Sequence, residues 1–540
     1  MKGTENSQVA VPALGFRQSM TGLHTWAGLA LGWVLYFIFL TGTAGYFDTE
    51  IDRWMQPELP APQIDLPAAD TVTVLLARLQ REAPAAERWF ITLPADRNTP
   101  YPQFFWQGAS SSSSRLTVDA TSGEAFTARD TGGGQLLYQM HWRLHYLPRS
   151  LSNPVVGFAT LFMLVALITG VIIHKKIFRD FFTFRPGKGR RAWQDAHTAL
   201  GVVALPFHLM ITYSGLILLG FSLMPLVVAA YYGTDPKGRQ QFIADAFDPP
   251  GLLEPAGVAA PLAPLGPMIA TAERRWGEGR ILFIDIRHPG DRNARVLFHE
   301  NTDDSVSTGR EQLVFDGASG ALLHTQPPSA TATANSAAKG ARDLLIGLHE
   351  GLFAPPLLRW LYFFSGLLGS AMAASGLVLW TIKRRQQTAR RAGGPGAGLL
   401  LVERLNAGVV AGLPIGIAAY FWANRLLPLD LADRAGWEVH AMFLAWLAML
   451  IHAALRPPAR SWAEQFAIAA GAFGLLPLLN LFTSDSHLGQ SLAAGDWTFA
   501  GFDLTTLGFG LAFAWAARRL WQAPETARQY SPRTAMGESL

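Results

Sequence analysis

His24-Thr-Trp-Ala-Gly28, which runs on through apolar residues to Thr41-Gly42, and His197-Thr-Ala-Leu-Gly201, which runs on to Ser214-Gly215, decide how this chain is read. The later glycine follows the histidine by 18 residues in both stretches (42 − 24 and 215 − 197). An ionisable residue inside an apolar span is a functional hypothesis by default, because hydrocarbon penalises it. A duplicated span that opens on a histidine points to a helix bundle that clamps haem.

Around these stretches the composition is that of an integral membrane protein: 540 residues, 50% hydrophobic and only 16% charged. A helix needs about 20 apolar residues to cross a hydrocarbon core about 30 Å thick. Runs of that kind lie near 22–46, 154–174, 198–230, 358–382, 399–424, 436–455, 463–483 and 498–517, which predicts eight spans. Basic clusters follow the second span (Lys175-Lys176, Arg179, Arg185, Lys188, Arg190-Arg191), the fourth (Lys383-Arg384-Arg385, Arg390-Arg391) and the last (Arg518-Arg519). The positive-inside rule places them in the cytoplasm, with both termini inside and the long loops 47–153 and 231–357 outside. The first run is too long for a signal peptide and reads as an uncleaved anchor. The net charge of +4 is mostly this topology signal and argues against a nucleic-acid partner.

Each long loop carries one helix and three short strands. In the first, 71–82 has helical periodicity and 89–93, 101–106 and 115–120 alternate like strands; in the second, 267–276 and then 281–286, 294–299 and 312–316 repeat the order. Both close on related turns, Val118-Asp-Ala-Thr-Ser-Gly123 and Phe315-Asp-Gly-Ala-Ser-Gly320. The repeat unit is therefore span, external module, span, over about 17–192 and 193–392. The expected divisions are a first span at 17–46, a first module at 47–135, and an interfacial helix, two spans and a basic loop at 136–230. A second module follows at 231–340, then an interfacial helix and span at 341–392, and a four-span extension at 399–519 behind the linker Ala392–Gly398.

Absent cysteine removes disulfides, thiolate metal sites and iron–sulfur clusters together, so redox chemistry needs a bound cofactor. A neutral imidazole can ligate haem iron through one nitrogen while the other donates to a carbonyl. His24 and His197 open related spans at similar depth and form one candidate pair; the competing reading makes them interfacial caps. On the outer side, aligning Leu136-Leu137 with Leu344-Leu345 sets His141 opposite His349. His145, one helical turn beyond His141, competes with it as ligand or contacts a substrate. His208 lies 11 residues after His197, about 20° off the same helix face, and is either a second ligand or a structural histidine. His174 has Trp380 as its repeat equivalent, which cuts against a symmetric role. His440 and His452 read as structural, and His288, His299, His324 and His487 carry no role. No Gly-rich phosphate loop, HExxH or dinucleotide fingerprint occurs, so no flavin or nicotinamide site is expected and electrons must come from a separate cytoplasmic donor or membrane quinol.

Met140-His-Trp-Arg-Leu-His145, Leu167-Ile-Thr-Gly170 through Lys188, Leu205-Pro-Phe-His208 to Gly215, His349-Glu-Gly-Leu-Phe353 and Arg359-Trp-Leu-Tyr-Phe-Phe-Ser-Gly366 resemble, in sequence and order, the PepSY-associated transmembrane helix proteins of Gram-negative inner membranes. The resemblance covers about 15–390 and leaves the last four spans outside it. It implies b-type haem, two copies held by histidine pairs drawn from His24, His197, His141 or His145 and His349, with His174 and His208 also inside matching motifs. It further implies reduction of a ferric siderophore or other iron chelate in the periplasm. The expected fold is mostly α: a polytopic bundle of about eight spans around a duplicated four-span core, lipid-embedded, with two periplasmic α+β modules. The alternatives are a non-catalytic membrane anchor or sensor that binds periplasmic proteins, and a metal-uptake transporter.

Overall fold

A computed structural model describes residues 15–64, 66–108, 115–174, 190–247, 252–327, 336–389 and 395–522. The basic run 175–189, Arg390-Arg391 and the start of the expected linker lie outside the described residues. Seven continuous stretches of helix are long and apolar enough to cross a membrane, so the protein is a multi-pass membrane protein in contact with lipid. They are span 1 (Phe16–Gly45), span 2 (Arg149–Ile173), span 4 (Pro356–Thr388), span 5 (Ala397–Leu426), span 6 (Arg434–Leu455), span 7 (Pro458–Thr483) and span 8 (Trp497–Gln522). Span 3 is a bent pair, Arg190–Val203 and Leu205–Leu218, broken by 67°. The break follows from Pro206: its ring cannot donate to the preceding turn and clashes with it, so Ala204 leaves helical geometry.

Span 1 is the axis of the core and packs against spans 2 and 4. Gly32 permits the approach to span 4, since a Cβ there would meet the Leu377 side chain at 2.8 Å. Span 5 is the enclosed member of the C-terminal bundle: 83% of its apolar window is buried inside the protein, against 22–28% for spans 6, 7 and 8. Trp54, on the short helix Asp48–Met55 that follows span 1, plugs the seam to that bundle, stacked on Phe502 at 4.1 Å with Arg425 over its other side at 4.1 Å.

Beyond the ends of spans 1 and 4 stands one antiparallel sheet of seven strands in the order β3-β2-β1-β4-β5-β6-β7. They are β1 (Arg88–Thr92), β2 (Gln103–Gln107), β3 (Leu116–Thr117), β4 (Ile281–Arg287), β5 (Arg295–Glu300), β6 (Gln312–Asp316) and β7 (Leu322–Gln326). The two modules, read from sequence as separate units, are thus joined edge to edge by β1 and β4, with Ile91 opposite Ile284. Joining hides two strand edges that would otherwise stay open to other chains. Helices Ala68–Glu82 and Gly266–Trp276 cover one face, burying Leu75, Leu79, Ile91, Phe104, Ile284 and Phe298 to zero exposure. β7 was not expected; its Leu322 and Leu323 are half exposed on an edge, so they lack the alternation of a covered strand.

Candidate functional site: two histidine pairs

Four of the seven candidate histidines meet in two pairs. The ring centres of His24 and His197 are 6.3 Å apart and nearly perpendicular, at 75°. Those of His141 and His349 are 6.2 Å apart and close to parallel, at 24°. Two imidazole nitrogens each about 2 Å from a shared metal put the ring centres roughly 6 Å apart, so both separations suit a metal between the rings.

Each ring rests on a glycine of the facing helix. A Cβ added at Gly170 or Gly376 would lie 3.3 Å from the His24 or His197 ring, and one at Gly42 or Gly215 would lie 3.3 Å from His141 or His349. The Nδ1 atoms are tied in every case. His24 Nδ1–H donates to the Ala166 carbonyl at 2.9 Å, and His197 Nδ1–H to the Met372 carbonyl at 3.1 Å, with Thr169 and Ser375 hydroxyls alongside. His141 donates to the Tyr138 carbonyl. His349 donates to Ser214 Oγ at 2.8 Å, whose own proton goes to the Met210 carbonyl at 2.6 Å. Such partners select the tautomer that leaves Nε2 as the lone-pair donor. Burial pushes His141 down to about 4 and His349 down to about 3, so both are neutral, metal-ready imidazoles at ordinary pH.

The partners repeat with the same offset between halves (166 to 372, 169 to 375, 170 to 376), so the site has an approximate two-fold order. Span 1 carries His24 near one end and Gly42, the floor of His141, near the other. Eighteen helical residues separate them, about 27 Å. A cavity of about 320 Å³ holds the second pair, walled by Leu35, Met163, Tyr46, Tyr138 and Glu350.

The other candidates fall elsewhere. His145 lies against its neighbour Tyr146 and against Phe443 of span 6, and Tyr146 Oη–H donates to His440 Nδ1 at 2.7 Å. His174 Nε2 lies 3.3 Å from the Thr198 hydroxyl, beside the first pair. His208 is fully buried on the far side of the 67° break, with Nε2 on the Ser365 carbonyl at 3.3 Å and Phe39 against its ring. The straight-helix count that aligned it with His197 does not hold, because Pro206 interrupts the helix. Among the described residues no group of three or more His, Asp or Glu is placed to hold a metal ion. Gly170, Gly376, Thr169, Ser375 and Ser214 were not singled out from sequence as partners; comparing the two halves position by position is the signal that finds them.

The helix Gly133–Met140, which ends on His141, is held at its start by two acids. Asp52 accepts from the Gly134 N–H at 2.7 Å and Asp48 from Gln135 Nε2 at 2.5 Å. Burial pushes Asp52 up to about 7 and Asp48 up to about 6. The folded protein holds the Asp52 proton more tightly than the unfolded chain does. Its stabilising contribution is therefore present at acid pH and lost as pH rises from about 4 through about 7. Thermal unfolding followed across that range should show the decline in the parent, and Asp52→Asn should lessen it, leaving the share of Asp48.

The uncharacterized protein PA4219 of Pseudomonas aeruginosa is similar to this chain, 27% identical over 380 residues that cover 69% of this chain and 91% of that protein. The PepSY-associated TM region family matches residues 21–383, a stretch that holds both histidine pairs and the whole sheet and stops within the last turns of span 4, and the chain belongs to that family.

Proposed function

We propose that the protein is a haem b-dependent ferric-chelate reductase of a bacterial inner membrane. In this reading it moves electrons from a cytoplasmic donor or membrane quinol to a ferric siderophore on the periplasmic side, where the sheet stands. The observation that carries the reading is the donor set. Four part-buried histidines stand in two opposed pairs with every Nδ1 engaged and, among the described residues, no third protein ligand beside either pair. A bare divalent ion needs more ligands than two; a macrocycle brings its own in the plane between the rings. The glycine floors leave room for each histidine ring against the facing helix.

When bound, haem iron supplies a one-electron carrier. The residues would hold it at two depths. His24 and His197 would clamp it near one surface and His141 and His349 near the other, about 27 Å along span 1, close to the thickness of the hydrocarbon core at about 30 Å. The carbonyl and hydroxyl partners fix ring orientation and raise the basicity of Nε2, which is how a protein tunes such a ligand. The walls around the second pair are mostly apolar. Reduction of the chelate then weakens an oxygen-rich ferric site and frees the iron.

The test is a reduced-minus-oxidised visible spectrum of the full-length protein purified in detergent from haem-replete cells. A Soret and α-band pair at close to two haems per chain is expected, with reoxidation on adding a ferric chelate. A spectrum without those bands overturns the reading.

A further inference from the structure

His208 is a buried polar group that neither histidine pair uses. Its side chain is fully buried; Nε2–H donates to the Ser365 carbonyl at 3.3 Å, and Nδ1 has no hydrogen-bond partner among the described residues. An unpartnered acceptor held away from water costs stability, so packing alone does not account for an imidazole at this place. The duplication supplies the comparison. The offset that carries His24 to His197 carries Leu35 to His208 (197 − 24 and 208 − 35), and the offset that carries Ala166 to Met372 carries Ala159 to Ser365 and Met163 to Gly369. In the first half Leu35, Ala159 and Met163 share one apolar cluster. In the second half Gly369 clears the space, since a Cβ there would lie 3.1 Å from His208 Nε2.

The place is midway between the pairs. Gly215, the floor of His349, follows His208 by seven residues on span 3, and Gly376, the floor of His197, follows Gly369 by seven on span 4 (215 − 208 and 376 − 369), each about 10 Å of helix. Contacts run from His208 both ways. Outward, the Phe207 ring lies 5.9 Å from the His208 ring, Tyr362 lies 5.6 Å from Phe207 and Tyr46 lies 5.1 Å from Tyr362; Tyr46 Oη–H then donates to the His349 carbonyl at 3.4 Å. Inward, Ser365 stands about two helical turns from Met372, whose carbonyl accepts from His197 Nδ1 at 3.1 Å. The counterparts of Phe207, Tyr362 and Tyr46 in the other half are Val34, Val156 and Leu219. One side of the core carries rings and the other carries aliphatic side chains.

We infer that His208 bridges the two pairs: an electron passes from iron held at His24 and His197, by way of span 4, His208 and the column of rings, to iron held at His141 and His349. Ferrous iron at the first pair gives up one electron and ferric iron at the second takes it; no bond forms or breaks and no proton moves. Rings in contact and hydrogen bonds couple two redox centres better than gaps between saturated side chains do. The bridge rests on the proposed function, because it needs iron at both pairs.

Full-length protein in sealed vesicles with the sheet outward is fully reduced and mixed with ferricyanide, which does not cross the bilayer, while the α band is followed. Reoxidation should run in two phases, a fast one for the sheet-side site and a slower one set by transfer between the sites. His208→Leu, which installs the residue of the first half, should slow the second phase roughly tenfold, the order of coupling that one residue of a path carries. The first phase, the haem content and both midpoint potentials should stay as they are. Phe207→Leu, which breaks the next contact, should act in the same way, and Leu35→Val should change nothing. Equal slowing by Leu35→Val overturns the bridge; so does a lost haem or a shifted potential in His208→Leu, which makes His208 a ligand or a packing residue. Haem-loaded His208→Leu with an unaltered second phase removes the bridge alone, whereas a parent without Soret bands removes the proposed function and the bridge with it.

Discussion

His349→Ala is expected to strip the proposed haem from the sheet-side pair, roughly halving haem per chain, and to lower the proposed electron delivery to an external ferric chelate by more than about 100-fold. His349 is fixed from three directions. Ser214 Oγ takes its Nδ1 proton at 2.8 Å, Gly215 floors the ring, and His141 faces it at 6.2 Å. Alanine leaves His141 alone in an apolar cavity. Ser214→Ala should be milder, about tenfold, since it loosens the ring without removing the ligand. Gly215→Val should resemble His349→Ala, because its Cβ alone already approaches the ring to 3.3 Å. The pair at His24 and His197 lies about 27 Å away along span 1 and should keep its spectrum in all three variants. Haem content by pyridine haemochrome and the rate of reoxidation by ferric chelate measure both effects. Full haem retention in His349→Ala and in His141→Ala would remove these two residues from the ligand set.

Much of this site is written in the sequence because it is duplicated. The equal spacing from His24 to Gly42 and from His197 to Gly215 marks the two ends of related helices, and in the fold those glycines are the floors of the opposite pair. Spans and strands were legible because hydrocarbon and a covered sheet face impose length and alternation on the chain. Long-range choices were not. Nothing local distinguishes His141 from His145; the choice between them is made by span 6, whose Phe443 and His440 draw His145 and its neighbour Tyr146 aside. The edge pairing of β1 with β4 joins residues about 190 positions apart, and no pattern within either strand encodes the partner. Pro206 was visible, but an apolar run long enough to span reads as one helix until the proline's geometry is applied.

Glu438→Ala is expected to destabilise the protein by about 3–5 kcal/mol, the cost of leaving a buried charge without its partner. Arg434 and Glu438 are 1% and 0% exposed and pair at 2.5 Å. Glu438 also accepts from Asn424 Nδ2 at 2.8 Å and from the Thr131 hydroxyl at 2.5 Å, while Arg434 donates to the Asp130 carbonyl at 2.8 Å. Tyr420 adds a hydrogen bond to the Gly133 carbonyl at 2.9 Å. Spans 5 and 6 thereby grip the segment 130–133, which leads directly into the helix that ends on His141. The C-terminal bundle, which lies beyond the family match, thus anchors the helix that ends on His141 of the sheet-side pair. Two consequences separate stability from anchoring. Arg434→Met with Glu438→Leu replaces the ion pair by apolar bulk and should recover most of the thermal stability, because both desolvation costs vanish with the charges. It cannot restore the bond to Thr131, so haem at the sheet-side pair should stay reduced in amount while the His24–His197 haem is normal. Thermal unfolding in detergent and the split of the reduced spectrum between the two haems decide this. If the double variant recovers stability and both haems together, the C-terminal bundle stabilises the fold without positioning His141.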